Sequence, residues 1–417
     1  MKRVGLIFGS RSVEHEISVT TAAKAYEVLG RMTDEVETVP IYLSRAGAWL
    51  SGPAVARLLT VEAEGRGSGD QAARQRLQQE YKQQLALLER GAAQKEVESL
   101  FLPPDPTVRG LCGDPTLASW FKKSLRPALD VAFPTVHGTH GEDGTLQGLF
   151  ELAELPYVGP GLAASAVGMD KILSKQLFRG AGLPVVEATW FARRRWLEDE
   201  AGPIGEVESR LGYPVVVKPA VAGSSVGISR ATDAASLRRA VAAAAQFSSR
   251  VLVERAVEER LEVQCAVLGN HALSVSVCEE LTGAAGIVSF EEKYLKRPEA
   301  QADLAPSLIP AQIPEALAAR VRELALEAFR ALDARGIARV DFLVARPDLT
   351  PYVNEVNTLP GSLCLRLWEA SGVPPIELIR RLLTLAEEAA AEKRVTRFES
   401  QEGKGLVDKK HLMSPGK

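Results

Sequence analysis

The chain has 417 residues, 46% of them hydrophobic and 25% charged, with a formal net charge of −3. That length holds two or three domains with cores of their own, and the charge excludes a bulk basic footprint for nucleic acid or an anionic membrane. Four cysteines (Cys112, Cys265, Cys278, Cys364) are scattered without a CxxC, which excludes a disulfide framework or zinc ribbon and fits a reducing cytoplasm.

The opening MKRVGLIFGS carries a short apolar run that breaks at Gly9, too short for a signal segment, and no run reaches the length of a membrane span. Val4–Phe8 is expected to be a buried strand and Val19–Leu29 a helix. Strand, small-residue loop and helix N-terminus together make a natural ligand site. A full GxGxxG is absent, so no dinucleotide fingerprint is expected. Glu14 and Glu16 fall where acids favour the first turn of a helix. The functional alternative for Glu14 is that it faces a cleft and holds an ammonium group.

Residues 60–126 read as an insertion in the first domain. Gln71–Lys95 should be helical and largely solvated, between breaker-rich edges at Gly65–Gly69 and Leu102–Thr107. Leu129–Pro134 is another strand, followed by a loop over Thr135–Gly144 and a helix from Thr145 to Leu155. His137 and His140 form an H-x-x-H pair, but Gly138 interrupts it and no third ligand follows at helical spacing, so zinc is not expected. A Gly-rich loop ahead of a helix instead suits close backbone approach to an anion.

Lys171 opens a helix over Ile172–Ala181 that stops at Gly182 and Pro184. Tyr213–Lys218 is a strand ending in lysine, and Gly-Ser-Ser-Val-Gly follows at 223–227. There the ammonium reaches phosphates while loop N–H groups cap them. The order of lysine and glycines is the reverse of a Walker A loop. Val251–Glu254 is an apolar strand with an acidic end, and Leu261–Leu268 alternates. Phe290–Leu295 leads into a Pro/Ala-rich stretch to Pro314 that reads as a mobile lid. Ala316–Ala334 is an amphipathic helix.

Arg339–Val344 and Tyr352–Asn357 flank a polar turn, a hairpin signature with a longer loop. Alternation puts Arg339 and Asp341 on one face of the first strand, and Glu355 and Asn357 on one face of the second. If the faces coincide, the patch holds oxygen ligands suited to hard Mg²⁺, beside an arginine able to hold a phosphoryl group or oxyanion. The alternative is an exposed face of an amphipathic hairpin. The Pro360-Gly361 turn directly after the second strand lets a backbone N–H approach a ligand closely. Residues 363–392 read as two helices broken at Gly372–Pro375, and Thr396–Lys417 as a disordered end.

Four stretches in this order resemble the D-alanine–D-alanine ligases of the ATP-grasp superfamily: SVEHEIS at 12–18, HGTHGEDGTLQGLFELAELPYVGPG at 137–161, the Lys218 strand with its GSSVG loop, and NEVNTLPG at 354–361. The resemblance covers about residues 1–390. It implies an α/β, three-domain architecture: a Rossmann-like N-terminal domain (1–159, the insertion longer than the family usually carries), a central ATP-grasp subdomain (160–257) and a C-terminal one (258–395). It implies an enzyme, using ATP to join two D-alanine molecules through an acyl phosphate, for peptidoglycan precursors.

By the same resemblance Glu14 takes the substrate ammonium, with Ser224 and Tyr294 positioning it, and His137 is the active-site histidine. Lys171, Lys218, Ser224 and Ser225 face the ATP phosphates. Glu254 and Val257 fall at adenine positions and Glu262 at the ribose, where Glu258 or Glu259 is the alternative. Asp341, Glu355 and Asn357 carry two Mg²⁺ ions, with Mn²⁺ as a substitute. Arg339 and the Gly361 N–H stabilise the oxyanion. Lys293 and Tyr294 match a Lys-Tyr pair that favours an amine as second substrate. The chain departs from the family after Gly361, where Arg366 stands in place of a serine that holds the second carboxylate; Arg366 or Ser362 is then the candidate. A homodimer is expected by family analogy alone. The competing readings are a ligase with another second substrate, such as D-serine or D-lactate, and a nucleotide-binding regulatory protein without the chemistry.

Overall fold

A computed structural model describes residues 1–91, 96–108, 110–113, 128–282 and 306–396. The opening apolar run forms β1 (Lys2–Gly9), buried from Val4 onward. A strand covered on both faces takes parallel neighbours through helical crossovers. β1 accordingly pairs in parallel with β2 (Val36–Leu43) after the crossover helix α1 (His15–Leu29), and with β6 (Val131–Pro134) on its other side. This is the Rossmann-like centre expected from the sequence. One edge continues antiparallel through β3 (Trp49–Ser51), β4 (Glu98–Phe101) and β5 (Cys112–Gly113), giving the order β5-β4-β3-β2-β1-β6.

α2 (Pro53–Gly67), which begins before the expected insertion at 60–126, and α3 (Gln71–Glu89), which lies inside it, pack on each other. α3 buries little beyond Leu88, as its polar composition requires, and its polar groups tie it to the first sheet. Tyr81 donates to Glu16, and Tyr42 donates to Glu89. Glu16 also pairs with Arg45, so the second acid of the opening loop is a structural contact. The helix read as 145–155 is α4 (Thr145–Leu152); it ends early because Glu154 turns left-handed at φ 50°.

The second sheet is antiparallel, β7-β10-β8-β9, built from β7 (Ala188–Ala192), β8 (Val215–Pro219), β9 (Ser229–Ala231) and β10 (Arg250–Arg255). The helices along this stretch of the chain are α5 (Leu162–Met169), α6 (Lys171–Gly180), α7 (Arg193–Glu198), α8 (Ala201–Arg210) and α9 (Ala234–Ala244). Asp170 caps α6 by accepting from the Ile172 and Leu173 amides at 3.0 and 3.1 Å, which fixes where Lys171 starts the helix.

The third sheet runs β14-β13-β11-β15-β16, with β12 on β11. Its strands are β11 (Arg260–Gly269), β12 (Ser274–Val275), β13 (Glu279–Leu281), β14 (Ser307–Leu308), β15 (Gly336–Ala345) and β16 (Thr350–Asn357). The amphipathic α10 (Glu315–Ala331) lays Val321, Leu324 and Phe329 against Val263, Val267 and Phe342. Of the expected lid, residues 290–305, and with them Lys293 and Tyr294, lie outside the described residues, as do 397–417 of the expected tail.

The last helices, α11 (Leu365–Ala370) and α12 (Pro375–Arg394), return to the first sheet. Leu378, Ile379, Leu382 and Leu383 share one core with Val4, Leu6, Phe8, Val19 and Trp368. Lys2 pairs with Glu387 at 2.8 Å beside it. The beginning and end of the described chain are therefore one packing unit, and the turn after Gly361 is held against α1. Trp368 is 1% exposed, so Trp368→Ala is expected to cost about 3–5 kcal/mol in guanidinium unfolding. A loss well under 1 kcal/mol would mean this joint carries no stability.

Candidate active site

The β15–β16 hairpin places its polar residues opposite one another: Arg339 faces Asn357 and Asp341 faces Glu355, with a bulge immediately after Asp341. The four side chains therefore share one face, so the two faces that alternation left separate coincide. Arg339 grips Asp341 with Nε on Oδ1 at 2.6 Å and Nη2 on Oδ2 at 2.8 Å, and Asn357 Nδ2 donates to Oδ2 at 3.0 Å. Burial raises the Asp341 pKa, and the arginine offsets this only in part. Glu355 Oε2 lies 3.5 Å from Lys171 Nζ.

Two carboxylates and one amide oxygen are a donor set for a hard divalent cation. Among the described residues no group of three or more His, Cys, Asp or Glu is placed to hold a metal. The fit therefore rests on Asn357 as third ligand beside Asp341 and Glu355. In their present arrangement Arg339 and Lys171 neutralise these acids.

Across from this face stands the second sheet. Lys171, at the start of α6, donates to the Ala222 carbonyl at 2.7 Å. Lys218, at the end of β8, sits 2.5 Å from Glu254 Oε2 and donates to Asn354 Oδ1 at 3.2 Å. The other Glu254 oxygen lies 2.9 Å from Lys175 Nζ. Burial pushes the Glu254 carboxyl up, but Lys175 and Lys218 outweigh it and hold it at about 2. Sequence reasoning missed Lys175. Its signal was the position four residues after Lys171, one turn along the same helix face. Arg260 was missed as well; it donates to the Val257 carbonyl at 3.0 Å and to Glu262 Oε1 at 2.9 Å, linking the two expected nucleotide positions. Glu258 pairs with Arg230 instead.

Glu14 precedes α1 and is buried. The Ser224 hydroxyl donates to Glu14 Oε1. Two glycines make room for this carboxylate: a Cβ on Gly138 would fall 2.3 Å from Oε2, and one on Gly223 2.2 Å from it. Ser224 and Ser225 are both left-handed, at φ 50° and 60°. Such strain in non-glycine residues persists only where the surroundings over-determine it.

His137 lies one step behind. Its Nε2 meets Thr21 Oγ1 at 2.8 Å, and its Nδ1 is 4.0 Å from Glu142 Oε2. Thr21 Oγ1 accepts from the Ser362 amide at 3.1 Å, and Ser362 Oγ accepts from Lys24 Nζ at 2.7 Å. Glu142 was not foreseen as a site residue. It accepts from the Gly138 amide at 2.8 Å and the Leu359 amide at 3.1 Å, joining the loop after β6 to the turn after β16. Burial and the neighbouring Glu14 charge push its pKa up to about 8. His140 lies apart, against Arg11. Gly361 begins a single 3-10 turn in which Ser362, Leu363 and Cys364 are all left-handed, with φ of 49°, 53° and 52°. Ser362 thus faces α1, whereas Arg366 is exposed on α11.

With this geometry in hand, family models match most of the chain: "D-ala D-ala ligase N-terminus" over residues 3–160 and "D-ala D-ala ligase C-terminus" over 177–384. The chain belongs to the D-alanine–D-alanine ligase family. The D-alanine–D-alanine ligase of Heliobacterium modesticaldum is 40% identical over 387 residues, spanning 92% of this chain and 93% of that one. The one from Acetivibrio thermocellus is 38% identical, with 92% and 96% coverage. Among solved structures, the VanG D-Ala:D-Ser ligase of Enterococcus faecalis superposes with a TM-score of 0.73 at 28% identity, covering 92% of this chain and 99% of that one. The Coxiella burnetii D-alanine-D-alanine ligase gives 0.71 at 27% identity, covering 94% and 96%. An α/β ATP-grasp ligase fold, inferred from the motifs, is therefore the fold of this ligase-family chain, and ATP use comes with the family. Among the described residues no helix is long and apolar enough to cross a membrane.

The buried Glu142 makes stability depend on pH. Its carboxyl stays protonated in the folded ligase up to about pH 8, whereas an unfolded glutamate ionises near 4.5. The folded state therefore binds the extra proton between those values, and its contribution to stability declines as pH rises through about 8. Urea unfolding of Glu142→Gln between pH 5 and 9 should show a flatter profile than the parent chain. An unchanged slope would mean Glu142 is ionised throughout.

Proposed function

We propose that this ligase joins two D-alanine molecules into D-alanyl-D-alanine at the expense of ATP, for peptidoglycan precursor synthesis in the cytoplasm. The observation that carries the reading is convergence. Glu14 of the first unit is closed over by Ser224 of the second, while Lys171 and Lys218 of the second face Glu355 and Asn354 of the third. An amino acid held at Glu14, a triphosphate held by the lysines and a metal held by the acids thus meet in one cleft. A regulatory binder has no need of that whole set.

ATP lies between Lys171, Lys218 and Ser225 on one side and the acidic face on the other, with adenine near Glu254 and Val257 and ribose near Glu262. Asp341, Glu355 and Asn357 would hold two Mg²⁺ ions, or Mn²⁺, which would supply charge neutralisation at the phosphates. The carboxylate of the first D-alanine, its ammonium on Glu14, attacks the γ-phosphorus, and ADP leaves. Ser224, with Tyr294 from the lid, holds Glu14 in position. The amine of the second D-alanine attacks the acyl phosphate, loses its proton and expels phosphate. Arg339 and the Gly361 N–H stabilise the tetrahedral oxyanion. His137, through Thr21, positions the turn that carries Ser362; Ser362 and Arg366 are the candidates for the second carboxylate, and the Lys293-Tyr294 pair favours an amine as second substrate. The enzyme divides near residues 159 and 257 and works as a homodimer.

A second reading keeps the chemistry and changes the second substrate. It is favoured by Arg366, which replaces the family's serine and is exposed on α11, and it has a structural relative in the D-Ala:D-Ser ligase. Product analysis by mass spectrometry with D-alanine, D-serine and D-lactate separates the two. The test of the main reading is ADP release on adding D-alanine. Its absence with intact folded protein would remove the proposal.

Arg339→Ala should lower kcat by about 10²–10³ if Arg339 is an oxyanion donor. A drop under about threefold at unchanged stability would argue against that role. Chelation of divalent ions should abolish ADP release, and added Mg²⁺ or Mn²⁺ should restore it. Activity that persists in excess chelator would exclude the metal role of Asp341, Glu355 and Asn357.

A further inference from the structure

Lys175 is 5% exposed, Glu254 3% and Lys218 8%. Lysines are rarely buried this deeply unless paired, and here two of them share one glutamate, each on its own oxygen: Lys175 on Oε1 at 2.9 Å and Lys218 on Oε2 at 2.5 Å. The two differ in what else they reach. Lys218 also donates to Asn354 on β16, across the cleft. Lys175, on α6, borders a cavity of about 230 Å³ between α6, β7 and α8, whose lining includes Ile172 and Leu252 and none of the acidic-face residues.

Together with the proposed nucleotide site, on which this inference rests, the arrangement poses an electrostatic problem. When Lys218 turns toward the phosphates, Glu254 loses one of its two countercharges. A buried carboxylate left unpaired is strongly unfavourable. We infer that Lys175 is a positioning residue, the fixed counter-ion that keeps Glu254 aimed at the adenine amino group while Lys218 exchanges Glu254 for the nucleotide phosphates. Lys175 itself touches no substrate. It acts through Glu254, and it separates the recognition of adenine from the recognition of phosphate.

The test compares K175M, K175R, E254Q, K175M/E254Q and K218M in the full chain. Calorimetric titration with Mg·ATP and Mg·ITP is read beside thermal melts and D-alanine KM. ITP lacks the amino group that Glu254 reads. K175M should weaken ATP by about tenfold or more, weaken ITP by less than about threefold, and leave the D-alanine KM unchanged. K175R should recover most of the ATP affinity, because the adjoining cavity has room for a guanidinium. In the E254Q background, K175M should cost less than about twofold, since residues that act as a unit are not additive. If K175M alone melts too low to assay, K175M/E254Q against E254Q reads the same coupling.

Equal losses for ATP and ITP, or a full tenfold loss on top of E254Q, would overturn the inference. K218M weakening ATP while K175M leaves it unchanged would overturn it too, with the nucleotide reading intact. K218M without effect on ATP would instead remove the nucleotide reading beneath it.

Discussion

A carboxylate withdrawn from water has to find a partner, and that requirement draws this molecule together. Glu14, Glu142 and Glu254 are each less than a tenth exposed, and Asp341 is largely enclosed by its partners. Left alone and ionised, any of them would cost several kcal/mol, which Glu142 avoids by keeping its proton to about pH 8. Each has its partners on named elements: Glu14 Oε1 accepts from Ser224, Glu142 from the amides of Gly138 and Leu359, Glu254 is paired with two lysines, and Asp341 with Arg339 and Asn357. Ser224 on Glu14 and the Leu359 amide on Glu142 join one unit to another across the cleft, whereas Glu254 and Asp341 find their partners within their own sheets and helices. In the proposed function Glu14, Glu254 and Asp341 are the acids that take an ammonium, a nucleotide and a metal.

The backbone is strained at the places where closure demands it. Ser224 and Ser225 are left-handed in the loop over Glu14, and Ser362, Leu363 and Cys364 are left-handed in the turn after Gly361. L-residues adopt that conformation at a cost. In the second case the cost is offset by anchoring, since Leu363, Cys364, Leu367 and Trp368 are buried in the core shared by the first sheet and α12. Gly138 and Gly223 serve another purpose: each leaves space that a Cβ would take from Glu14. Precise loops are thus held by a deep core on one side and by a buried charge on the other.

Helix α3 is better integrated than its composition suggests. α3 is polar almost throughout, yet Tyr81 and Glu89 reach Glu16 and Tyr42. Glu16 is thereby committed to the scaffold, which leaves Glu14 alone to face the cleft. Two acids two residues apart have different fates because one lies beside a tyrosine from a distant helix and the other beside a glycine-serine loop.

Local pattern settled a great deal without any fold in hand. Period-two alternation was enough to pair Arg339 with Asp341 on one strand and Glu355 with Asn357 on the other, because side-chain direction within a strand depends only on parity; that the two faces coincide was decided by the hairpin register. Short motifs were enough for the family and the architecture, since loops that approach phosphates tolerate few residue types. What remained hidden were the roles of residues whose partners lie far along the chain. Lys175 reads as one more helical lysine until Glu254 is brought beside it, and Arg260 as a surface charge until it bridges Val257 and Glu262. Glu142 reads as a helix-start acid until the Leu359 amide arrives 217 residues later. Charge pairing and burial are properties of assembled neighbours, so only the tertiary structure decides them.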